Sequence, residues 1–475
     1  MHFPGKLSLA ALSLAVASAV QAESLRDIYE LALENDATLR AQEAQYLAGL
    51  EDEKAARAAL LPQVTGSIAQ QNSDTDTTSP GIIGFDNTGT PLIGDTFDNT
   101  DITTETYRLS LQQAIFDLPA WFSFRSGREL SKQAEATFAA NQQNLIVRVV
   151  EAYLAVLRAQ DNLKASKARE RAFERQLEQN RQRFEVGLIA ITDVYEAQAA
   201  YDLAQVDRIA DENAVAVALE NLSVLMDKRH DNLDVLVEDF EVSKPDPLER
   251  SAWVDFALEN NFSLQAARYA EEAARQTAAA RKFAHAPTIS GTASYSESDR
   301  TGARFQDPAS IFNIPPDSET EQTAWGIELS MPLFSGGAIS AERRRAAQQF
   351  NAAREQRINL TRQTVTDARS LHMTVLNDIA RVAARRQSIK SSRSALDATE
   401  AGYEVGTRNI VDVLNAQNTL FAALRDYANS RYDYITNMLR LKEQAGLLSP
   451  EDIMRLNSFL EAAPAPTQSS APATE

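Results

Sequence analysis

Apolar residues recur at helical spacing over two very long stretches of the chain. In residues 120–185 they run through Leu145, Val149, Tyr153 and Val156, and in residues 338–403 through Leu371, Val375, Ile379 and Val382. Steps of three and four put each set on one face of a helix. About 65 residues at 1.5 Å each make a rod of roughly 100 Å. A rod of that length cannot bury its stripe alone, so it packs along other helices. Residues 409–446 carry Val413, Leu420, Tyr427, Tyr434 and Leu441, each seven residues after the last. A seven-residue repeat predicts left-handed coiled packing. Shorter helical stretches, 24–61 and 247–285, end at Pro62 and Pro287, and a further helix spans 190–230.

Four short segments alternate instead. Tyr107, Leu109 and Leu111 interleave with Thr106, Arg108, Ser110 and Gln112; Trp325, Ile327, Leu329 and Met331 interleave with Gly326, Glu328 and Ser330. Val64 and Ile68, and Ile289, Gly291, Ala293 and Tyr295, mark two more strands. The strands are predicted at about 62–72, 104–115, 287–296 and 323–334. Such alternation over about ten residues is the pattern of an outer-membrane strand, and also of a half-buried soluble sheet. Residues 71–103 and 296–322, polar and rich in Thr, Asp, Asn, Ser and Glu, read as long loops between paired strands. Phe116, Trp121, Phe122, Phe124 and Phe334 gather at the strand–helix passages, as an aromatic girdle or as ordinary packing.

The order of elements is written twice. Ala32-Leu33-Glu34-Asn35 returns as Ala257-Leu258-Glu259-Asn260, a shift of 225. Phe184-Glu185-Val186-Gly187 with Ile191-Thr192-Asp193-Val194 returns as Tyr403-Glu404-Val405-Gly406 with Ile410-Val411-Asp412-Val413, a shift of 219. Blocks repeated in the same order predict a tandem duplication, with halves at 23–246 and 247–448 and a tail at 449–475. The fold class expected is mainly α with a small β part. Four strands cannot close a membrane barrel, and a sheet in lipid tolerates no open edge. Several chains must then pool their strands, and three would supply twelve.

Composition changes the picture at three points. Lys6, the apolar run Leu7–Val20 and Val20-Gln21-Ala22 read as a secretory signal peptide over residues 1–22. A formal charge of −19, which would become −20 without Lys6, disfavours nucleic acid as a partner. There are no cysteines, hence no disulfide, thiolate metal site or lipid-bearing Cys. The end, from Ala462, is rich in Pro, Ala, Ser and Thr and reads as disordered.

No catalytic constellation is visible. There is no H-E-x-x-H, G-x-S-x-G or P-loop spacing, and His230, His285 and His372 stand apart from one another. No enzyme activity, cofactor or metal is expected. One polar set does stand out. Asp193 and Asp412 follow the two Val-Gly breaks at equivalent places, with Asn415 one turn past Asp412. Thr192 and Asp193 would equally suit the first turn of a helix.

The passages 183–194 and 402–414 closely resemble the TolC family, outer-membrane exit ducts of efflux pumps and type I secretion systems, and the resemblance extends over residues 23–448. It implies a homotrimer whose strands form one twelve-stranded outer-membrane β-barrel and whose helices form a periplasmic α-barrel. It implies a periplasmic adaptor protein and an inner-membrane pump or ABC transporter as partners, and outer-membrane lipid around the barrel. Tyr403 and Arg408 match positions that close the periplasmic end, with Thr192 and Asp193 as their partners; Gln176 and Glu400 match a second closing pair. Asp412 matches an acidic ring at the entrance, whose second position is Asn415 here, while Glu196 is an extra acid in the first half. Gly187, Leu188, Gly406 and Thr407 match the tips that meet the adaptor. The rival reading is a structural periplasmic coiled-coil protein.

Overall fold

The computed structural model describes residues 23–229, 232–309 and 315–462. The expected signal peptide, His230 and most of the tail's end lie outside the described residues. In chain order the first half contains α1 (Leu25–Asn35), α2 (Ala37–Ala58), β1 (Gln63–Phe85), β2 (Pro91–Phe116), α3 (Leu118–Glu185), α4 (Ile191–Met226) and β3 (Val235–Leu236). There follow α5 (Arg250–Asn260), α6 (Phe262–Lys282), β4 (Thr288–Asp307), β5 (Ser318–Ser330), α7 (Ala338–Glu404), α8 (Ile410–Gln444), α9 (Pro450–Asn457) and β6 (Leu460–Glu461). Among the described residues no helix is long and apolar enough to cross a membrane. Two units divide these elements, one of Tyr46–Glu135 with Ala266–Ile358, the other of Met1–Gln45, Ala136–Gln265 and Asn359–Glu475.

The first of these units carries the four-stranded sheet, ordered β1-β2-β4-β5 and antiparallel throughout. Its register stacks like on like. Val64, Leu111, Ala293 and Trp325 form one row, and Gly66, Leu109 and Tyr295 the row beside it. Because side chains alternate across a strand, these residues share a face with Ile68, Tyr107 and Ile327. That face is bare in the single chain: Leu109 is 53% exposed, Ile327 74% and Trp325 84%. Arg108, Ser110, Ser294, Ser296 and Glu328 line the other face. β1 and β5 each have one neighbour and so present an open edge.

β1, β2 and β4 are far longer than the alternation predicts, β5 ends at Ser330 rather than near 334, and most of the expected loops are strand. β1 and β2 stay paired from Gln63↔Gln112 to Phe85↔Pro91, and β4 stays beside β2 as far as Asp307↔Phe97. Alternation is needed only where one face is dry; a ladder wetted on both faces can be polar throughout. Here threonines favour the extended backbone, and side chains bridge the strands. The Asn99 Nδ2 donates to Asp74 Oδ1 at 2.8 Å and to Asp76 Oδ1 at 2.7 Å. The turn closes on Asp86, whose Oδ1 accepts from the amides of Thr88 and Thr90 at 2.8 and 2.9 Å. At the passage into α3, Asp117 Oδ1 accepts from the Ala120 amide at 2.8 Å, and Pro119 sits in the first turn, where its missing N–H costs nothing. Phe122 stacks on Phe283 at 5.2 Å, while Trp121 and Phe334 remain exposed.

The other unit holds the main core. Leu145, Val149, Tyr153 and Val156 of α3 are fully buried, with Leu25, Ile28, Leu222, Trp253, Val375 and Leu441 in the same cluster. Of the seven-spaced set on α8, Val413, Leu420, Tyr434 and Leu441 are buried and Tyr427 is half-buried. Buried hydroxyls find partners: Tyr153 donates to Asp234 O at 2.7 Å and Tyr432 to Asp161 Oδ2 at 2.6 Å.

The two shorter helical stretches are each broken by one polar residue. Asp36 ends α1 and accepts from the Leu39 amide at 3.1 Å at the start of α2. Asn261, at the place 225 residues on, ends α5 and accepts from the Leu264 amide at 2.8 Å. Asp36 is buried, 3% exposed, and Arg148 Nη2 lies 2.5 Å from its Oδ2. Burial pushes the Asp36 carboxyl up, but the guanidinium and the Leu39 and Thr38 amides outweigh it and hold it below its ordinary value.

Candidate functional site

The two equivalent turns, 186–190 between α3 and α4 and 405–409 between α7 and α8, form the helix tips. Gly187 and Gly406 both have φ of +76°, the left-handed region that other residues enter at a cost. Their surroundings are open, so the backbone turn and not crowding demands glycine. Val186, Leu188 and Val405 are 70–76% exposed, an apolar dressing on both turns.

The helices that leave these turns start differently. α8 is capped by its own residues: Asn409 Oδ1 accepts from the Asp412 amide at 2.9 Å, and Asp412 Oδ2 accepts from the Asn409 amide at 3.4 Å. α4 has Ala190 at the equivalent place and no side-chain cap. Its first turn is tied instead to α3. Asn180, fully buried, donates from Nδ2 to the Asp193 carbonyl at 3.1 Å. Asn180 Oδ1 accepts from Gln176 Nε2 at 2.9 Å and from the Tyr403 hydroxyl at 3.4 Å.

Asn180 therefore joins three elements, and the sequence reading missed it. The signal was present: Phe173, Leu177, Asn180 and Phe184 lie on one stripe of α3, so an amide sits where the coiled pattern places an apolar residue. Phe173, Leu177 and their neighbours Ile410, Val413, Val194 and Ala197 are buried around it in two small clusters. The Arg183 guanidinium lies over the Tyr403 ring at 5.1 Å. Burial pushes the Tyr403 phenol above its ordinary value; Arg183 opposes this and Asp193 adds to it. The phenol stays protonated and can donate.

The expected pairs are redistributed within the chain. Gln176 turns to Asn180, and Glu400 accepts from Gln417 Nε2 at 3.2 Å, so those two residues are not each other's partners here. Arg408 lies 3.8 Å from Asp412, four residues on, and not against Asp193. The cause is local: the Asn409–Asp412 box fixes the Asp412 carboxylate beside the turn that carries Arg408. The Thr192 hydroxyl lies 3.4 Å from Asp193 Oδ1. Asn415 and Glu196 are exposed, and Asp412 half-buried.

His285 and His372, the histidines among the described residues, lie elsewhere. His372 is buried with Nε2 2.9 Å from Leu248 O, and His285 Nδ1 is 3.0 Å from Pro332 O. Among the described residues no group of three His, Cys, Asp or Glu is placed to hold a metal ion.

Known proteins match this architecture. The family described as Outer membrane efflux protein matches residues 28–227 and 253–447, one segment in each half. Outer membrane protein TolC of Vibrio cholerae is 33% identical over 456 residues, which cover 94% of this chain and 96% of that protein. The alkaline protease secretion protein AprF of Pseudomonas aeruginosa is 31% identical over 431 residues, covering 90% of this chain and 85% of that one. The solved structure of the outer membrane protein VceC from Vibrio cholerae aligns with a TM-score of 0.69 at 18% identity, over 89% of this chain and 96% of that chain, a likeness of fold. With both halves matched, the chain belongs to the outer membrane efflux protein family.

Proposed function

We propose that the chain is one third of a passive exit duct, a β-barrel in the outer membrane continued through the periplasm by an α-barrel. The observation that carries this reading is the bare apolar face of the sheet, with an open edge on either side. Lipid accepts the face but not the edges, since unpaired backbone groups cost several kcal/mol each there, roughly. β5 of one copy beside β1 of the next removes both edges, and three copies of the four strands close twelve. The family name speaks for efflux and the name of AprF for protein secretion, so small molecules and proteins are both proposed as cargo. The duct performs no reaction. An inner-membrane pump or ABC transporter supplies energy, and a periplasmic adaptor meets the tips at Gly187, Leu188, Gly406 and Thr407.

Thr192, Asp193, Tyr403 and Arg408 are proposed to hold the entrance shut, with Gln176 and Glu400 in support. An exposed pair such as Arg408–Asp412 is worth only about 0.2–1 kcal/mol. Closure must therefore be shared among several contacts in three copies. The detergent-solubilised protein should sediment as a trimer and form channels in planar bilayers, and joint Tyr403→Phe and Arg408→Ala substitution should raise the conductance. A folded monomer without channel activity, or a mature protein that leaves the cell envelope without detergent, would refute the reading.

Asp412 is proposed as the acidic ring at the mouth. Three ionised carboxylates there would attract cations and repel anions. Asp412→Asn keeps an oxygen for the Asn409 amide and removes only the charge, so cation preference should fall while the helix start survives. Asn415→Asp should strengthen that preference, and if Glu196 supplies a second ring, Glu196→Gln should weaken it more than Asp412→Asn does. A reversal potential indifferent to Asp412→Asn would leave that carboxylate as a cap and nothing more.

A further inference from the structure

The duplication gives an internal control at the tips. Asn180, Ala190 and Asp193 of the first half correspond, by the shift of 219, to Thr399, Asn409 and Asp412 of the second. Thr399 donates back to its own helix, to Ala395 O at 2.7 Å. The second-half start needs no neighbour because Asn409 and Asp412 cap it themselves. The first half lacks that cap and has a buried amide at 180 instead. Buried amides are costly unless bonded, and three bonds satisfy this one.

The polar contacts named at the tips sort by hairpin. Gln176–Asn180, Asn180–Asp193 and Arg181–Gln198 lie within α3–α4. Arg408–Asp412 and Glu400–Gln417 lie within α7–α8. Tyr403 crosses between the hairpins, through its hydroxyl to Asn180 and its ring to Arg183. We propose that Asn180 is a positioning residue of the entrance, the acceptor that seats Tyr403 and so holds the α7–α8 hairpin against α3–α4. The proposal rests on the duct reading above. Opening parts Tyr403 from Asn180 and Arg183, along with the apolar packing of Phe173 and Ala204 on Ile410 and Val413, while each hairpin keeps its own polar bonds and moves as a unit. Gln176 contributes by orienting the Asn180 amide so that Oδ1 faces both donors.

A double-mutant cycle in planar bilayers tests the coupling. Asn180→Leu and Tyr403→Phe should each raise the open-state occupancy of the purified trimer about tenfold, the three copies of the bond acting together. The double mutant should rise no further than the larger single. Occupancies that multiply, or an Asn180→Leu channel that stays as closed as the unmodified one, would overturn the proposal. Asn180→Asp separates gating from folding. It keeps the acceptor for Tyr403 and Gln176 and loses the donor to Asp193, so its channel should stay closed while its melting temperature falls. An Asn180→Asp channel as open as Asn180→Leu would make the tie to Asp193 the working bond and end the proposal. If the unmodified protein and every variant form no channel at all, the duct reading itself fails, an outcome distinct from uncoupled but conducting variants.

Discussion

A Leu109→Arg chain should fail to assemble in the outer membrane. Leu109 stands in the apolar stretch of β2, between Gly66 and Tyr295 in the register, on the face that is apolar from β1 to β5. Arginine near the bilayer midplane costs about 2–4 kcal/mol, so three copies around one barrel would cost roughly 6–12 kcal/mol. That is of the order of a whole domain's stability. Ser110→Arg is the control. Ser110 is the next residue, opposite Thr65 and Ser294, and points to the polar face. In a duct that face is the wet interior, where an added cation changes selectivity and leaves assembly intact. Fractionation of envelopes and sedimentation of the solubilised protein should show trimer for Ser110→Arg and none for Leu109→Arg. Equal assembly of the two would mean that this face does not meet lipid.

The same contrast explains what the sequence showed and what it hid. The apolar rows of the sheet and the stripe of α3 were legible because a dry face imposes a period, two in a strand and near 3.6 in a helix. Beyond Asn72 and Thr103 the ladder is wet on both sides, the period vanishes, and residues such as Asp74 and Asn99 look like loop. The breaks at Asp36 and Asn261 were hidden for another reason. Each helix restarts one residue after its predecessor ends, so the apolar spacing runs through the break undisturbed. At the tips the Val-Gly breaks made Gly187 and Gly406 legible locally, whereas the Asn409–Asp412 box emerged only with the structure. Asn180 depends on Tyr403, 223 residues away. Only its polarity in an apolar stripe betrayed it, and a stripe tolerates such exceptions. Within the single chain, the residues of the pairs taken from the resemblance bond to others: Gln176 to Asn180 and Glu400 to Gln417.

Loss of Arg148 should destabilise the protein more than loss of the charge it faces. Asp36 is buried at the α1–α2 break and serves two ends at once, capping α2 and pairing with Arg148. Arg148→Ala strands a carboxylate in the core, and breaking a buried pair in that way costs about 3–5 kcal/mol. Asp36→Asn should cost much less. Asparagine still caps, as Asn261 does at the matching break, and Arg148 is exposed enough to turn its charge toward water. The two variants also differ in acid. The folded carboxyl titrates below its ordinary value, so the unfolded chain takes up the proton first as pH falls. Its contribution is complete above the unfolded value of about 3.9 and is lost as pH drops through the lower folded value. Above that window the native protein should melt well above Arg148→Ala, and the gap should narrow as the solution is taken below pH 4, roughly. Asp36→Asn should lack this part of the acid dependence altogether. Melting temperatures by circular dichroism across that range, for all three proteins, would settle it. A native protein and Asp36→Asn that lose stability in parallel on acidification would place the acid-sensitive group elsewhere in the core.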